Sequence, residues 1–343
     1  MRAVKLSSPN TVTLEEVDVP EPGPGEVRVK VAGAGLCHSD LHLVDMGDEW
    51  PAFGLTLGHE GAGTVDKLGP GVTAHKEGEP VIVNLVWSCG ECRACVEGRD
   101  NACEVTGGRD SFPTGPGLGA QGSMADYIIV PSRHALPLGD IDPVGAGPLT
   151  DAALTPMRAI NSVRDRLTPG ATVVIIGIGG LGHMGLQIVK AISAATVICV
   201  DMDEKKLEHA KELGADETFT PDAGTAAKIL AETGGYGADV VLDFVGVQPT
   251  VDLAAGAIAP EGKVRLVGLG GGKYPASAEI SAPWGVNIQR SYGGTREDLL
   301  QVLALAHAGK IKIDYVTYPL DRFQQAFDDL RAGKIVGRAI LVP

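Results

Sequence analysis

One stretch restricts the fold more than any other. The apolar run Thr172–Ile176 leads without a break into Gly177-Ile178-Gly179-Gly180-Leu181-Gly182. A helical pattern over 180–193 follows, then a second apolar run, Thr196–Val200, and a second helical pattern over 204–213 stopped by Gly214. Residues 239–244 and 263–267 read as later strands of the same set. Strand alternating with helix predicts a parallel sheet covered by helices on both faces, a doubly wound α/β fold. Further on, Arg296–His307 and 322–331 carry helical periodicity, and Arg338–Val342 reads as a strand.

The glycine turn has a chemical reading in this context. Gly177 makes the tight turn, Gly179 lets backbone approach a pyrophosphate, and Gly182 lets helix and strand pack closely. Gly180 and Leu181 complete the loop, and the helix start offers free N–H groups to phosphate oxygens. Asp201 ends the next strand, 24 residues after Gly177. There it would accept hydrogen bonds from ribose hydroxyls and repel a 2′-phosphate, and the adjacent Met202 and Asp203 supply no arginine to attract one. The expected cofactor is NAD rather than NADP. The competing reading is an ordinary strand–helix turn with Asp201 capping the next helix.

Upstream the pattern changes. Val27, Val29 and Val31 alternate with Arg28 and Lys30, the period of a half-buried strand. Glycine and proline punctuate 20–25, 69–71 and 107–122, which read as turns and irregular loops. Four of the six cysteines, Cys89, Cys92, Cys95 and Cys103, fall within 15 residues. Four thiolates this close suit the closed tetrahedral shell of structural zinc. A bacterial iron–sulfur run would place its fourth cysteine after three residues, whereas here seven intervene. Two disulfides would need an oxidising compartment.

The chain of 343 residues exceeds the size at which one hydrophobic core stops growing, so two domains are expected. Its formal charge of −14 repels phosphate backbones and anionic lipid, which argues against nucleic acid and membrane as partners. The first residues lack the apolar core of a secretory signal, and a cytoplasmic location is expected.

Two further segments hold metal-capable side chains: Gly35-Leu36-Cys37-His38-Ser39-Asp40-Leu41-His42 and Gly58-His59-Glu60-Gly61. Read alone, Cys37 suits a small buried hydrophobe and His59 a hydrogen-bonded core histidine. Taken with the cysteine lobe and the glycine turn, the order of motifs resembles the zinc-containing medium-chain dehydrogenase/reductase family over essentially the whole chain. That resemblance implies a GroES-like, mainly β catalytic domain (1–152 and 295–343, with a zinc lobe at 89–103) and a Rossmann coenzyme domain (153–294).

The resemblance also implies roles. Cys37 and His59 match ligands of a catalytic zinc. The third ligand is commonly cysteine, but Asp151 stands there. A carboxylate keeps the same summed ligand charge and is a harder donor, as in a subset of bacterial secondary-alcohol dehydrogenases. The alternative is that Asp151 only caps a helix. Ser39 matches the group that takes the substrate proton and His42 the one that relays it. Asp40 and Glu60 match carboxylates behind the zinc ligands, with Asp40 holding the His59 ring. His38 and Arg338 match pyrophosphate contacts, Lys206 the adenosine side, and Thr155 the floor beneath nicotinamide; Val245, Val267 and Gly268 match further cofactor contacts. Trp50, Leu85, Trp87, Phe112, Trp284 and Tyr292 match pocket positions, and Gly293 would leave room for a bulky group.

The implied activity is hydride transfer between a hydrophobic, secondary or aryl, alcohol or carbonyl compound and NAD, with two zinc ions per subunit. A polyol or amino-alcohol dehydrogenase of the same family is the alternative enzyme, and a non-catalytic nucleotide-binding protein the alternative from another class. A short 103–124 segment implies a homotetramer associating partly through an edge strand near 287–292. Cys199 reads as a core residue, His183 as a helix-start residue near the cofactor, and His75, His134, His209 and His307 as surface or loop residues.

Overall fold

The computed structural model describes residues 1–49, 53–275 and 283–343. The chain divides into two units: Met1–Leu154, Gly293–His307 and Ile313–Pro343 form the first, Thr155–Tyr292 and Ala308–Lys312 the second. Trp50, expected in a substrate pocket, lies outside the described residues.

The second unit is a six-stranded parallel sheet. Counting its strands in chain order from Thr172–Ile176, their spatial order is third, second, first, fourth, fifth, sixth. That is the doubly wound arrangement, in which ligands bind at the carboxyl ends where strand order reverses. Here the reversal lies between Thr172–Ile176 and Ala238–Asp243. Val174, Ile176, Ile198, Val200, Val241 and Val264 are fully or almost fully buried in one cluster. Central parallel strands are covered on both faces, which explains their unbroken apolar runs. Cys199 is among these buried strand residues.

Among the elements of this unit that escape the periodicity reading are the strand Glu217–Phe219 and the helices Thr225–Glu232 and Gln248–Ala257. The strand spans only three residues. The first helix has no side-chain cap, and the second contains Pro249 and Gly256. The strand expected at 263–267 runs instead over Ile258–Leu266. Its first half is disguised by Pro260 and Gly262, and by Glu261 at φ 60°, beside a register shift.

The first unit is built mainly on antiparallel strands, with Tyr315–Pro319 and Arg338–Val342 paired parallel. Its seven-stranded sheet runs Ala135–Pro137, Pro80–Val83, Glu60–Leu68, Glu26–Leu36, Arg338–Val342, Tyr315–Pro319, with Tyr127–Pro131 also pairing Glu26–Leu36. Val27, Val29 and Val31 point into the core with Val65, Val81, Val83 and Leu341. A smaller sheet joins Thr11–Glu16, Arg2–Ser8 and Leu55–Thr56. The region 107–122 holds only two strands of two residues, Gly115–Pro116 and Gly119–Ala120.

Of the histidines read as surface or loop residues, His134 is buried, and His75 sits in a loop with its side chain covered. His134 is 3% exposed, its Nε2 is 3.0 Å from the Ser88 carbonyl oxygen, and its ring stacks on Trp87. The His75 side chain is 4% exposed between Glu79 and the Ser132 carbonyl oxygen. In each case a distant carbonyl supplies the partner that makes burial affordable, which chain spacing cannot reveal. Among the described residues, no helix is long and apolar enough to cross a membrane.

Candidate active site and metal centres

Cys37 stands where the strand Glu26–Leu36 turns into the helix His38–Asp45. Asp40 fixes this corner: its Oδ2 accepts the Cys37 N–H at 2.9 Å. Its other oxygen, Oδ1, lies 3.2 Å from His59 Nδ1. One buried carboxylate thus holds the Cys37 backbone and lies against the His59 ring. His59 immediately precedes the strand Glu60–Leu68, which pairs with Glu26–Leu36 so that Gly35 faces Glu60. A Cβ on Gly35 would collide with the Glu60 carboxylate, so glycine there makes room for it. Gly33 in the same strand admits the Val144 carbonyl, letting the 140s segment lie close. The turn Gly147–Thr150 then delivers Asp151.

These segments bring Cys37, His59, Glu60 and Asp151 together. One ligand atom from each lies within 4.8 Å of the others, and all four residues are buried. Cys37 Sγ is 3.4 Å from Asp151 Oδ2, and His59 Nε2 is 3.7 Å from it. A tetrahedral zinc with ordinary bond lengths would separate such ligand atoms by about 3.5 Å. Arg338 closes the back of the site, its Nε 3.0 Å from both Glu60 oxygens and its Nη2 2.9 Å from Asp151 Oδ2.

The charge balance favours a cation. Burial raises the Glu60 carboxyl to about 7 against the pull of Arg338. Burial also disfavours an imidazolium at His59, yet Asp40 and Asp151 outweigh it and hold that pKa well above its usual value. The donor atoms of Cys37, His59 and Asp151 converge in a dry site beside two further carboxylates, Asp40 and Glu60, and a divalent ion there would take over the role of the proton that Asp40 and Asp151 hold on His59. The donor set of sulfur, imidazole and carboxylate is one that zinc accepts.

The cysteine lobe forms a second centre. Cys92 Sγ lies 3.4 Å from Cys95 Sγ and 3.9 Å from Cys103 Sγ, and Cys89 Sγ is 3.9 Å from Cys95 Sγ. Four thiolates around zinc would be separated by about 3.8 Å. Backbone N–H groups point at these sulfurs: Cys89 N–H toward Cys103 at 3.3 Å, Cys92 N–H toward Cys89 at 3.3 Å, and Glu104 N–H toward Cys92 at 3.4 Å. Burial opposes ionisation of Cys103, but the N–H groups and Thr106 around it bring its thiol down to about 5. Burial pushes Cys95 up to about 12, so all four thiolates coexist most readily around a cation.

In the second unit Gly177 turns the chain at φ 87°, and a Cβ on Gly182 would collide with the Gly177 carbonyl oxygen. A Cβ on Gly179 would meet nothing within 4 Å, so the backbone there lies open to a ligand. The helix Gly182–Ile192 has no side-chain cap, and its His183 N–H donates to the Gly179 carbonyl oxygen at 3.1 Å, so a phosphate would meet the N–H groups of the turn ahead of it. His183, buried beside this turn, has Nδ1 3.0 Å from the Gly179 carbonyl oxygen. Asp201 Oδ2 accepts the Ile178 N–H at 2.7 Å and Oδ1 the Asp203 N–H at 2.9 Å. The helix Glu204–Glu212 is capped by Asp203, not Asp201. Each Asp201 oxygen keeps acceptor capacity for a ribose hydroxyl. Val245 lies against Gly177 across the reversal of strand order, and Val267-Gly268 follows the end of the strand Ile258–Leu266.

Other expected residues fall as follows. Ser39 is partly exposed, its Oγ 3.7 Å from Cys37 Sγ; His42 and His38 are exposed on the same helix. Thr155 is buried at the start of the helical segment Leu154–Asn161, and Lys206 is half-buried. Arg338 is turned inward, so an outward pyrophosphate contact would require it to leave Glu60 and Asp151. Leu85 is buried, Trp87 partly so, and Trp284 and Tyr292 are 70% and 42% exposed. The space above Gly293 is taken by the Phe112 ring, so that glycine accommodates a protein side chain and leaves no room there for a bulky substrate group. The inward arginine was missed from sequence, since its partner Glu60 lies 278 positions away.

Residues 23–140 match the alcohol dehydrogenase GroES-like domain, and residues 180–308 match the zinc-binding dehydrogenase domain. An NAD-dependent alcohol dehydrogenase of Sulfurisphaera tokodaii is 34% identical over 358 residues, covering 100% of this chain and 99% of that protein. The crystal structure of an alcohol dehydrogenase from Aeropyrum pernix superposes with a TM-score of 0.91 at 35% identity, covering 100% of both chains. Acetophenone reductase from Geotrichum candidum, solved in complex with NAD, gives 0.87 at 30% identity, covering 100% of this chain and 97% of that one. The chain belongs to the zinc-containing medium-chain dehydrogenase family. Within it, the chain pairs a GroES-like domain with a Rossmann-like parallel sheet.

Proposed function

We propose that the protein is an NAD-dependent alcohol dehydrogenase with a catalytic zinc held by Cys37, His59 and Asp151 and a structural zinc held by Cys89, Cys92, Cys95 and Cys103. The observation that carries this reading is the buried convergence of a thiolate, an imidazole and a carboxylate beside the Ser39 hydroxyl. Cys37, His59 and Asp151 would hold a zinc ion whose chemistry is to lower the pKa of an alcohol hydroxyl, and the nucleotide unit would hold NAD as the hydride acceptor.

The side chains supply the rest. Ser39 takes the alcohol's proton, and His42, one helical turn on and exposed, relays it to solvent. Asp40 keeps Cys37 and His59 aligned, while Glu60 and Arg338 balance charge behind them. The Gly177–Gly182 turn and Val245, Val267 and Gly268 receive the dinucleotide, with Thr155 beneath its nicotinamide, His38 toward its pyrophosphate, and Asp201 and Lys206 at its adenosine. Leu85, Trp87 and Phe112, with Trp284 and Tyr292, favour hydrophobic secondary or aryl alcohols and the corresponding ketones. A cytoplasmic homotetramer is the assembly and location this reading favours.

The test is NADH formation over secondary, aryl and primary alcohols, diols and threonine, with metal analysis of the protein and of Asp151→Ala. Turnover of secondary or aryl alcohols is expected, lost on chelation. Asp151→Ala should lose turnover and one of two zinc ions while still binding NAD. Absence of turnover on every alcohol would sink the reading, and an active Asp151→Ala enzyme would remove Asp151 from the ligand set.

A further inference from the structure

The cysteine lobe is tied to the helix Arg296–His307 by a buried carboxylate. Asp100 lies inside the lobe, three residues before Cys103, and is 9% exposed. Both its oxygens accept the Arg296 N–H, at 3.1 and 3.2 Å. A second tie runs in parallel. The Arg296 guanidinium donates to the Arg133 carbonyl oxygen, and the Arg133 guanidinium donates to that of Cys89. The two ends of the lobe are thus both anchored at one helix start.

The helix does not need Asp100 as its cap. Thr295 and Asp298 already cap it reciprocally, Asp298 Oδ2 accepting the Thr295 N–H at 2.9 Å and Thr295 Oγ1 accepting the Asp298 N–H at 3.1 Å. The bond from Asp100 is therefore a link between lobe and helix. On its other side the helix start meets the open site. Gly294, two residues earlier, packs so closely on Leu154 that a Cβ would collide with the leucine side chain. Leu154 is three residues beyond Asp151, and the turn Gly147–Thr150 leading into Asp151 packs on the same helix.

We infer that Asp100 is a positioning residue that couples the four-cysteine lobe to Asp151, so that an ordered lobe holds the third ligand of the open site in place. The inference rests on the metal-site reading above. A fixed lobe fixes Arg296, which fixes Gly294 on Leu154 and with it the approach of Asp151 to Cys37 and His59. Coupling of this kind is established by perturbing the link from both ends.

Two variants do so. Asp100→Ala removes the acceptor, and Asp100→Asn restores one. Arg296→Pro removes the backbone N–H donor, at the first helical position, where proline is well tolerated, and with it the guanidinium tie to Arg133; Arg296→Ala, which loses the guanidinium alone, is its control, and both leave the lobe's own residues intact. Cobalt is loaded into the open site, and its absorption bands and its release to a chromogenic chelator are followed, alongside the zinc retained by the lobe. Asp100→Ala and Arg296→Pro should both shift the cobalt bands and speed release roughly tenfold or more, the usual scale for losing a support behind a metal ligand. Both should keep lobe zinc, and Asp100→Asn should return most of the native spectrum. Native bands and native release in Arg296→Pro would overturn the coupling. Wild-type protein that takes up cobalt without a thiolate charge-transfer band would instead overturn the open-site reading, and the coupling with it.

Discussion

The two Asp201 oxygens serve the fold, and the proposed function asks them to serve the ligand as well. Asp201 holds the Ile178 N–H inside the glycine turn, so its removal loosens the turn as well as the ribose subsite. Losing such charge-assisted bonds costs about 1.5–3 kcal/mol each. Asp201→Gly should therefore weaken NAD binding by roughly 10- to 100-fold, about 1.4 kcal/mol per tenfold. It should weaken NADP binding far less, because a repulsive charge also disappears. Dissociation constants for both nucleotides from protein fluorescence give the comparison, and an unchanged ratio would take Asp201 out of the ribose role. The placement of Asp201 was legible from sequence because a strand end and a motif spacing fix it. Its grip on Ile178 was not, since a backbone N–H leaves no mark in the sequence.

The strand–turn–helix from Thr172 to Ile192 was the most legible element. A buried apolar run, a glycine turn and a long amphipathic pattern there agree with one another. Its tolerance to change follows from the close approach at Gly182. Adding one methyl there drives it into the Gly177 carbonyl oxygen, backbone against backbone, and neither side yields cheaply. Gly182→Ala should cost about 1–3 kcal/mol of stability and raise the dissociation constant for NAD, read by thermal melting with and without nucleotide. A variant that melts and binds like the parent would show that the turn is slack. Where patterns were short or interrupted, as at Glu217–Phe219 or before Gly262, local sequence carried too little signal and neighbouring strands decided the structure.

For the molecule as a whole, the order of motifs announced the metal centres, while the convergence of residues 37, 59 and 151 came only through resemblance to a family. Nothing in the spacing foretells that Arg338 turns inward to Glu60 or that His134 is buried. The second has a measurable consequence. Burial lowers the His134 pKa to about 4, with the Ser88 carbonyl opposing, whereas an unfolded histidine titrates near about 6.5. Below that value the unfolded chain binds a proton that the fold refuses. The contribution is complete above about pH 6.5 and is lost as pH falls toward 4, amounting to about 2–3 kcal/mol. Chemical denaturation at steps between pH 7 and 4 should show this slope, and His134→Gln should flatten it. Equal slopes in both proteins would mean that other groups govern acid sensitivity.

The interleaving of the two units bears on how the chain is made. Apart from Ala308–Lys312, the second unit is one continuous segment, whereas the first is assembled from three. The strand Arg338–Val342 lies between Glu26–Leu36 and Tyr315–Pro319, and it carries the guanidinium that answers Glu60. During synthesis the N-terminal segment therefore emerges first but must wait for some 300 further residues before its sheet can close. The nucleotide-binding unit reaches completion earlier. A nascent chain stalled near Tyr292 would already contain all six strands of the parallel sheet, while the seven-stranded sheet of the first unit would still lack Tyr315–Pro319 and Arg338–Val342. Until those strands arrive, the unpaired edges of the first unit's sheet stay exposed, the condition in which large chains are most prone to misassembly.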